Sequence, residues 1–549
     1  KKRDHNKLGR ELGIFTTDEK VGQGLPLFMP KGAKIFQTLQ RWIEDEEERR
    51  GYVLTKTPFM SKNDLFKASG HWDHYKDGMF VLGDEIQDTE VMALRPMTCP
   101  FQFTVYNAEQ HSYRDLPIRY AETSTLFRKE ASGEMHGLIR VRQFTLSEGH
   151  IICTPEQLES EFKEVIDLIN YVMSTLGIDG DISYRFSKWD PSNTEKYINN
   201  PEAWEATQNQ MRTILDHLNI DYVEAEGEAA FYGPKLDIQF KNVHGKEDTI
   251  ITVQIDFALG ERLGMSYIDK DGNKKTPFVI HRSSIGCYER TIAMLIEKYA
   301  GAFPTWLAPV QVKVLPLSDK YNDYTAKVVS ELRNNGIRVE ADYRTEKIGY
   351  KIREARLERV PYIFVVGEKE EANNEVAVRS RKNGEEGPIA LNTIVARISE
   401  EIAKKEFNQR ICADKKPYFF IYNYPTLMKE YKDYIKTSDA VSRSRFNIPL
   451  ETLLAAEELT EEQAEFLKFY KEFYPVNAET CVVNELCWEI EKQLADVKES
   501  KVPFDSSILK SDASYTENEK MFIGYIYDKY NKTYANRMSR HSSVYEDTS

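Results

Sequence analysis

Cysteine is scarce. Six thiols in 549 residues, at 99, 153, 287, 412, 481 and 487, are too few and too scattered for a disulfide framework, so a reducing compartment, the cytoplasm, is expected. No apolar run approaches the roughly eighteen residues that cross a bilayer, and the charged start Lys1-Lys2-Arg3-Asp4 precedes no apolar signal core. Neither a membrane span nor export is expected. The first residue is not Met, so the chain is expected to be a processed or excised piece. An excess of positive charge is also missing: 74 Lys and Arg stand against 88 Asp and Glu, a formal −14, which excludes a wholly basic nucleic-acid coat but not a local basic face. Repeats of 20–50 residues are lacking too. What is there, 41% hydrophobic, 12% aromatic and 30% charged residues, is the composition of folded protein. The length calls for two to four domains, each with its own core.

Residues 31–50 carry helical spacing through Ile35, Leu39 and Ile43, end at Gly51 and feed a strand, Tyr52-Val53-Leu54-Thr55, closed by Pro58. Between 116 and 154, strand-like stretches at Leu126–Glu130 and Leu138–Phe144 flank a glycine-containing turn and read as an antiparallel pair. Helix at 156–177, strands at 179–187 and within 220–257, then strand, turn and helix over 277–300 complete an α+β region. Phe303-Pro304-Thr305-Trp306-Leu307-Ala308-Pro309 marks a boundary. Beyond it, strands at 311–316, 337–343 and 361–367 alternate with helices at 321–335 and 346–359, the pattern of a small α/β domain. The expected domains are 1–302, 303–409 and 410–549, the last mainly helical with a helix over 450–474.

Arg128-Lys129-Glu130, then Gly133-Glu134-Met135-His136-Gly137 and Arg140-Val141-Arg142-Gln143-Phe144, put several guanidiniums around one loop. That arrangement suits bidentate clamping of a polyphosphate, and a solvated hairpin is the competing view. Gly286-Cys287-Tyr288-Glu289-Arg290 opens an amphipathic helix on a glycine turn with Arg290 in its first turn, a second anion-favouring feature. Together the two segments resemble motifs 2 and 3 of class II aminoacyl-tRNA synthetases, and the strand ending at Pro58 resembles motif 1. Gly70-His71-Trp72-Asp73, Met97-Thr98-Cys99-Pro100, Ala230-Phe231-Tyr232-Gly233-Pro234-Lys235 and Val279-Ile280-His281-Arg282 narrow the resemblance to the bacterial-type threonyl-tRNA synthetase family, over about residues 1–409.

The resemblance implies an ATP-dependent ligase that charges tRNA with threonine, uses Zn²⁺ and Mg²⁺ with ATP, and forms a homodimer through motif 1. It implies Cys99, His150 and His281 as zinc ligands, with a coordination position open for substrate. By the same token Arg128 would hold the α-phosphate and the amino-acid carboxylate, Arg140 and Arg290 the outer phosphates, Glu130 the adenine amine and Phe144 the adenine face. Met97, Tyr232, Lys235 and Gln254 complete the pocket, and His71 matches a histidine of the transfer step. A metal that binds both the amine and the hydroxyl of threonine rejects valine by roughly 10⁴ or more, whereas the one methyl separating serine is worth only about 10–200-fold. Serine rejection is therefore expected from an editing activity outside this chain.

Three positions depart from the family. Leu146 stands where glutamine is usual, Glu148 where aspartate is usual, and Cys287 in place of a serine. The altered pocket has three readings: threonine retained through compensating shifts, resistance to an inhibitor that occupies the threonine site, or a different amino acid with a metal-binding side chain. An adenylating paralogue serving a non-tRNA acceptor is disfavoured by the anticodon-like second domain. A retired, non-catalytic synthetase is disfavoured by the presence of Arg128, Glu130 and Arg290.

The second domain resembles the class II anticodon-binding domain. Lys347, Lys351, Arg353, Arg356 and Arg359 cluster on or near one helix, where they would neutralise tRNA phosphates, and Glu370 and Arg379 match positions that read anticodon bases. The tyrosine-rich tail from about 411 resembles no family. Cys481 and Cys487 lack a nearby histidine and make a poor metal site.

Overall fold

The structure, a computed structural model, describes residues 3–241 and 247–405, together with Thr460 and Gln463. The expected helix over 450–474, the tail module and Cys412, Cys481 and Cys487 lie outside the described residues, those two positions apart. By contacts the described chain divides into two units, one of residues 3–303, 307–378 and 387–391, the other of residues 304–306, 379–386 and 392–405. Among the described residues no helix is long and apolar enough to cross a membrane.

Helix α1 (Pro30–Arg49) begins on a proline, whose missing N–H costs nothing in a first turn, and buries Ile35, Leu39 and Ile43 along one stripe. The same stripe buries Glu47, whose Oε1 accepts from Arg282 Nη1 at 2.9 Å and from the Ser284 hydroxyl at 2.6 Å. Arg282 is fully enclosed beside it. Replacing Glu47 by alanine strands that guanidinium in the core and is expected to cost about 3–5 kcal/mol, read as a lower urea midpoint.

An eight-stranded sheet is built from β1 (Val53–Leu54), β2 (Ile118–Phe127), β3 (Gln143–Cys153), β4 (Ile182–Lys188), β5 (Tyr222–Glu226), β6 (Lys235–Lys241), β7 (Glu247–Asp256) and β8 (Phe278–Cys287), in the order β5-β4-β6-β7-β8-β3-β2-β1. The six from β4 through β2 pair antiparallel, with parallel partners only at the two edges. Helices α2 (Cys99–Asn107), α3 (Leu158–Thr175) and α4 (Tyr288–Tyr299) accompany it, α3 packing on β8 and α4 on β3. This is the α+β fold expected.

The residues 138–142 do not extend the second strand. They belong to a loop joining β2 to β3 that folds back on itself, with His136 N donating to Arg140 O at 3.1 Å. Leu138 and Val141 are buried because they pin that loop down. Where β8 meets β3, the pairing skips between Ser283 and Cys287. Gly286 sits in that irregularity at φ +77°, where a Cβ would come within 2.2 Å of the Ile250 carbonyl, so only glycine fits.

The later α/β part has a central strand β9 (Val312–Pro316) pairing parallel with β10 (Val339–Ala341) and β11 (Tyr362–Val366). Helices α5 (Asn322–Asn334) and α6 (Ile348–Leu357) form the connections.

Candidate active site

Sheet pairing brings distant residues together. His150 on β3 and His281 on β8 are direct cross-strand partners, and neighbouring strands put them on one face. Their rings meet edge to face at 4.6 Å between centroids. Cys99, the first residue of α2, joins them. One ligand atom from each of the three buried side chains lies within 4.8 Å of the other two, the one such group of His, Cys or carboxylates among the described residues.

The other ring nitrogens are held. His281 Nε2 is 2.8 Å from Asp256 Oδ2, and His150 Nδ1 meets Gln102 Oε1. His150 Nε2 is left buried with no partner. An imidazole nitrogen stripped of water and given nothing in return is costly, unless an electrophile fills the gap. A thiol and two imidazoles braced by outer partners are the donor set that zinc prefers. Burial pushes the Cys99 thiol up and the His150 imidazole down.

The trio lines a cavity of about 600 Å³. Arg128, Arg140 and Arg290 line it too, with Glu130, Phe144 and Gln254. Arg128 is aimed by its surroundings. Its guanidinium lies over Phe144 at 5.1 Å and Tyr75 at 5.7 Å, with Nε and Nη2 each 3.4 Å from the Pro96 carbonyl. Arg140 Nε pairs with Glu130 at 2.9 Å, and Arg290 donates to the carbonyls of Ile139 at 3.2 Å and Thr249 at 2.9 Å. The Tyr232 hydroxyl bonds Gln254 Oε1, and its ring stacks on His281.

The three departing positions share this wall. Leu146 and Cys287 face each other across β3 and β8 and pack on Leu126, Val141 and Phe144. The Cys287 thiol donates to Glu289 Oε2 at 3.3 Å, and burial pushes it up. Glu148 accepts from the Thr98 backbone N–H at 3.2 Å, and burial raises its carboxyl. His71 lines the cavity with Nε2 3.9 Å from Cys99 Sγ, and burial, then the neighbouring His281, pulls its imidazole down to about 3. Met97 lines it as well. Lys235, the cross-strand partner of the cavity-lining Gln254, turns its ammonium to Asp237 at 3.4 Å.

Two family profiles match this chain: "tRNA synthetase class II core domain (G, H, P, S and T)" over residues 82–299 and "Anticodon binding domain" over residues 311–401. A threonine–tRNA ligase of Clostridium botulinum (strain Eklund 17B) is 79% identical over 406 residues, 74% of this chain and 63% of that protein. One from Geobacillus sp. (strain WCH70) is 49% identical over 405 residues, covering 74% and 62%. The solved RNA-binding domain of threonyl-tRNA synthetase from Cryptosporidium parvum superposes with a TM-score of 0.68 at 33% identity, over 72% of this chain and 98% of that one. The chain belongs to the class II threonyl-tRNA synthetase family. It spans 63% of the length of the botulinum ligase.

Three residues of this site, His74, Gln102 and Asp256, are not among those expected from the sequence. His74 lines it three residues after His71 and stacks on Phe231 at 4.7 Å, an offset that a helical reading of 71–75 would have exposed. Gln102, three after Cys99 on α2, and Asp256, two after Gln254 on β7, brace the trio from positions that share a face with a named residue.

The proposed anticodon surface needs a correction too. Lys347, Arg353, Arg356 and Arg359 are exposed, but Lys351 is buried. Its ammonium donates to the carbonyl of Asp342 at 2.9 Å and lies 3.4 Å from that of Pro316, inside the domain where no phosphate reaches. Glu370 accepts from the Gly367 N–H at 2.9 Å, and Arg379 pairs with Glu385 at 2.8 Å.

Proposed function

We propose that this chain carries the activity its relatives are named for, the activation of threonine by ATP and its transfer to the 3′ end of a tRNA. The single observation carrying this reading is the meeting of Cys99, His150 and His281 with Arg128, Arg140 and Arg290 in one cavity. Residues 1–302 would catalyse, 303–409 bind the anticodon and 410–549 form an accessory module, with the cytoplasm as the place of work.

In the first step a threonine carboxylate oxygen bonds to the α-phosphorus of ATP as the bond to the bridging oxygen opposite breaks, and pyrophosphate leaves. Arg128 spans the carboxylate and α-phosphate, while Arg140 and Arg290 trade their present partners for the outer phosphates. Phe144 supports the adenine and Glu130 accepts from its amine. Mg²⁺ arrives as part of the nucleotide substrate. Zinc held by Cys99, His150 and His281 would supply a Lewis acid that binds the amine and hydroxyl of threonine, which valine cannot match. In the second step the terminal ribose hydroxyl attacks the carbonyl carbon of the mixed anhydride and AMP leaves, with His71 serving the transfer. Lys347, Arg353, Arg356 and Arg359 would neutralise tRNA phosphates, and Glu370 and Arg379 would exchange their internal contacts for anticodon bases.

The test is threonine-dependent exchange of pyrophosphate into ATP followed by charging of threonine tRNA, on intact metal-loaded protein. Failure of both sinks the proposal. A second reading, activation of another amino acid with an amine and a neighbouring metal-binding heteroatom, is favoured by the apolar Leu146–Cys287 wall and the Glu148 carboxylate drawn to Thr98 N. An exchange screen across amino acids separates the two.

The partner proposed is a second copy of this chain. Val53 and Leu54 on the edge strand β1, and Phe59 and Met60 shortly after it in the chain, are each between 45% and 59% exposed, apolar surface that an isolated subunit would leave wet. Leu54→Asp is expected to convert dimer to monomer at micromolar concentration, as sedimentation velocity would register.

A further inference from the structure

The two histidines of the trio are braced by different devices. His281 rests directly on the Asp256 carboxylate. His150 instead meets a neutral amide, Gln102, which is fully buried. An amide bonds either way round: its oxygen accepts a proton and its nitrogen donates one. Only one orientation leaves His150 Nε2 with a lone pair, so something must fix the amide.

The fixing group lies two hydrogen bonds away. Gln102 Nε2 is 2.8 Å from Thr55 Oγ1, and Thr55 Oγ1 is 2.8 Å from Glu122 Oε2. Glu122 is itself buried and paired with Arg95 Nη1 at 3.0 Å, and it accepts from the Thr57 hydroxyl at 3.0 Å and the Thr57 N–H at 3.3 Å. A carboxylate ringed by donors only accepts. Thr55 must therefore spend its one proton on Glu122 and can only accept from Gln102, which turns the NH₂ toward Thr55 and the oxygen toward His150. Nδ1 then carries the proton and Nε2 is bare. With the amide reversed, its oxygen would face a hydroxyl oxygen whose proton is already committed, and Nδ1 would have to be the acceptor, placing the proton on Nε2.

We propose that Glu122, Thr55 and Gln102 form a one-way hydrogen-bond relay that sets the tautomer of His150 and so readies it to bind the metal. The inference rests on the metal reading above. A relay through neutral groups does for His150 what a direct carboxylate does for His281, without a further negative charge beside Glu148 and the thiol. Residues so placed are positioning residues: none reaches the cavity.

The test measures Zn²⁺ affinity of the full chain by competition with a chromophoric chelator, alongside the thermal midpoint of the metal-free protein. Loss of an outer-shell partner lowers metal affinity by roughly 10–100-fold, and Thr55→Val and Gln102→Met are expected to fall in that range. Thr55→Ser, which keeps the hydroxyl, should restore affinity to near that of the unaltered chain. Thr55 is only half-buried at the end of β1, so Thr55→Val keeps the question open to experiment if Gln102→Met does not fold. Zinc bound by the unaltered chain, lost in Cys99→Ser yet held equally well by Thr55→Val, overturns the relay and spares the metal reading. A lower metal-free midpoint with unchanged affinity also overturns it, because that marks a merely structural role. An unaltered chain that holds no more zinc than Cys99→Ser overturns both.

Discussion

Replacing Arg128 by alanine is expected to slow threonine-dependent exchange by roughly 10²–10³-fold, the range for removing one preorganised donor from a developing oxyanion. The guanidinium is aimed before any ligand arrives, backed by Phe144 and Tyr75 and steadied by the Pro96 carbonyl. In the proposed role, reorganisation during the reaction would be small, and its charge would bear on the α-phosphate where negative charge accumulates. Arg128→Lys should recover little, since an ammonium is a point charge and cannot span carboxylate and phosphate with a planar fork. The loss should appear in kcat as well as in KM for ATP, because the interaction strengthens as the α-phosphorus changes partners. A loss smaller than about tenfold, beneath anything expected of such a donor, would remove Arg128 from the phosphate role.

Cys99→Ser should empty the metal site and remove the measure of the substrate hydroxyl. Serine is a poor zinc ligand beside two imidazoles, and the bound metal is expected to fall from near one per chain to a small fraction. Preference for threonine over valine, expected to be on the order of 10⁴ or more while a group bonds the hydroxyl, should collapse toward the about 10–200-fold that shape alone supplies. Chelation of the unaltered protein should reproduce the collapse, and added Zn²⁺ should reverse it only there. Metal content by atomic emission and the ratio of kcat/KM for the two amino acids are the measurements. A Cys99→Ser protein that keeps both zinc and its rejection of valine would falsify the ligand assignment.

How much of this was legible in the sequence depended on how local each feature is. The glycine before α4 and Arg290 in its first turn could be placed because turn chemistry and helix period act over a few residues. The loop at 138–142 imitates a strand because apolar Ile139 and Val141 alternate with Arg140 and Arg142, when the buried Leu138 and Val141 anchor a loop instead. Lys351 was misplaced although the signal was present: Ile348, Lys351, Ile352 and Ala355 fall on the inner face of α6 by helical spacing, and Lys351 and Ala355 are buried there. A long aliphatic stem lets a lysine follow that stripe inward when carbonyls wait at its end. The pairing of His150 with His281 had no local signature. It is a register fact of two strands that are remote in sequence, and family resemblance alone brought those residues to notice. Gln102 and Asp256 stood at legible offsets, but a buried amide or carboxylate at such an offset is common, and only the orphaned Nε2 of His150 makes the bracing meaningful.

The cross-strand seat of the two imidazoles also sets a schedule for biosynthesis. Cys99 and His150 emerge from the ribosome well before His281, and β8 has to dock on β3 before all three donors face one another. Until then the nascent chain offers an incoming ion only two of its three ligands. Capture of a metal by this trio, as proposed, would then come late in maturation, and stable zinc retention would certify that the middle of the sheet has closed.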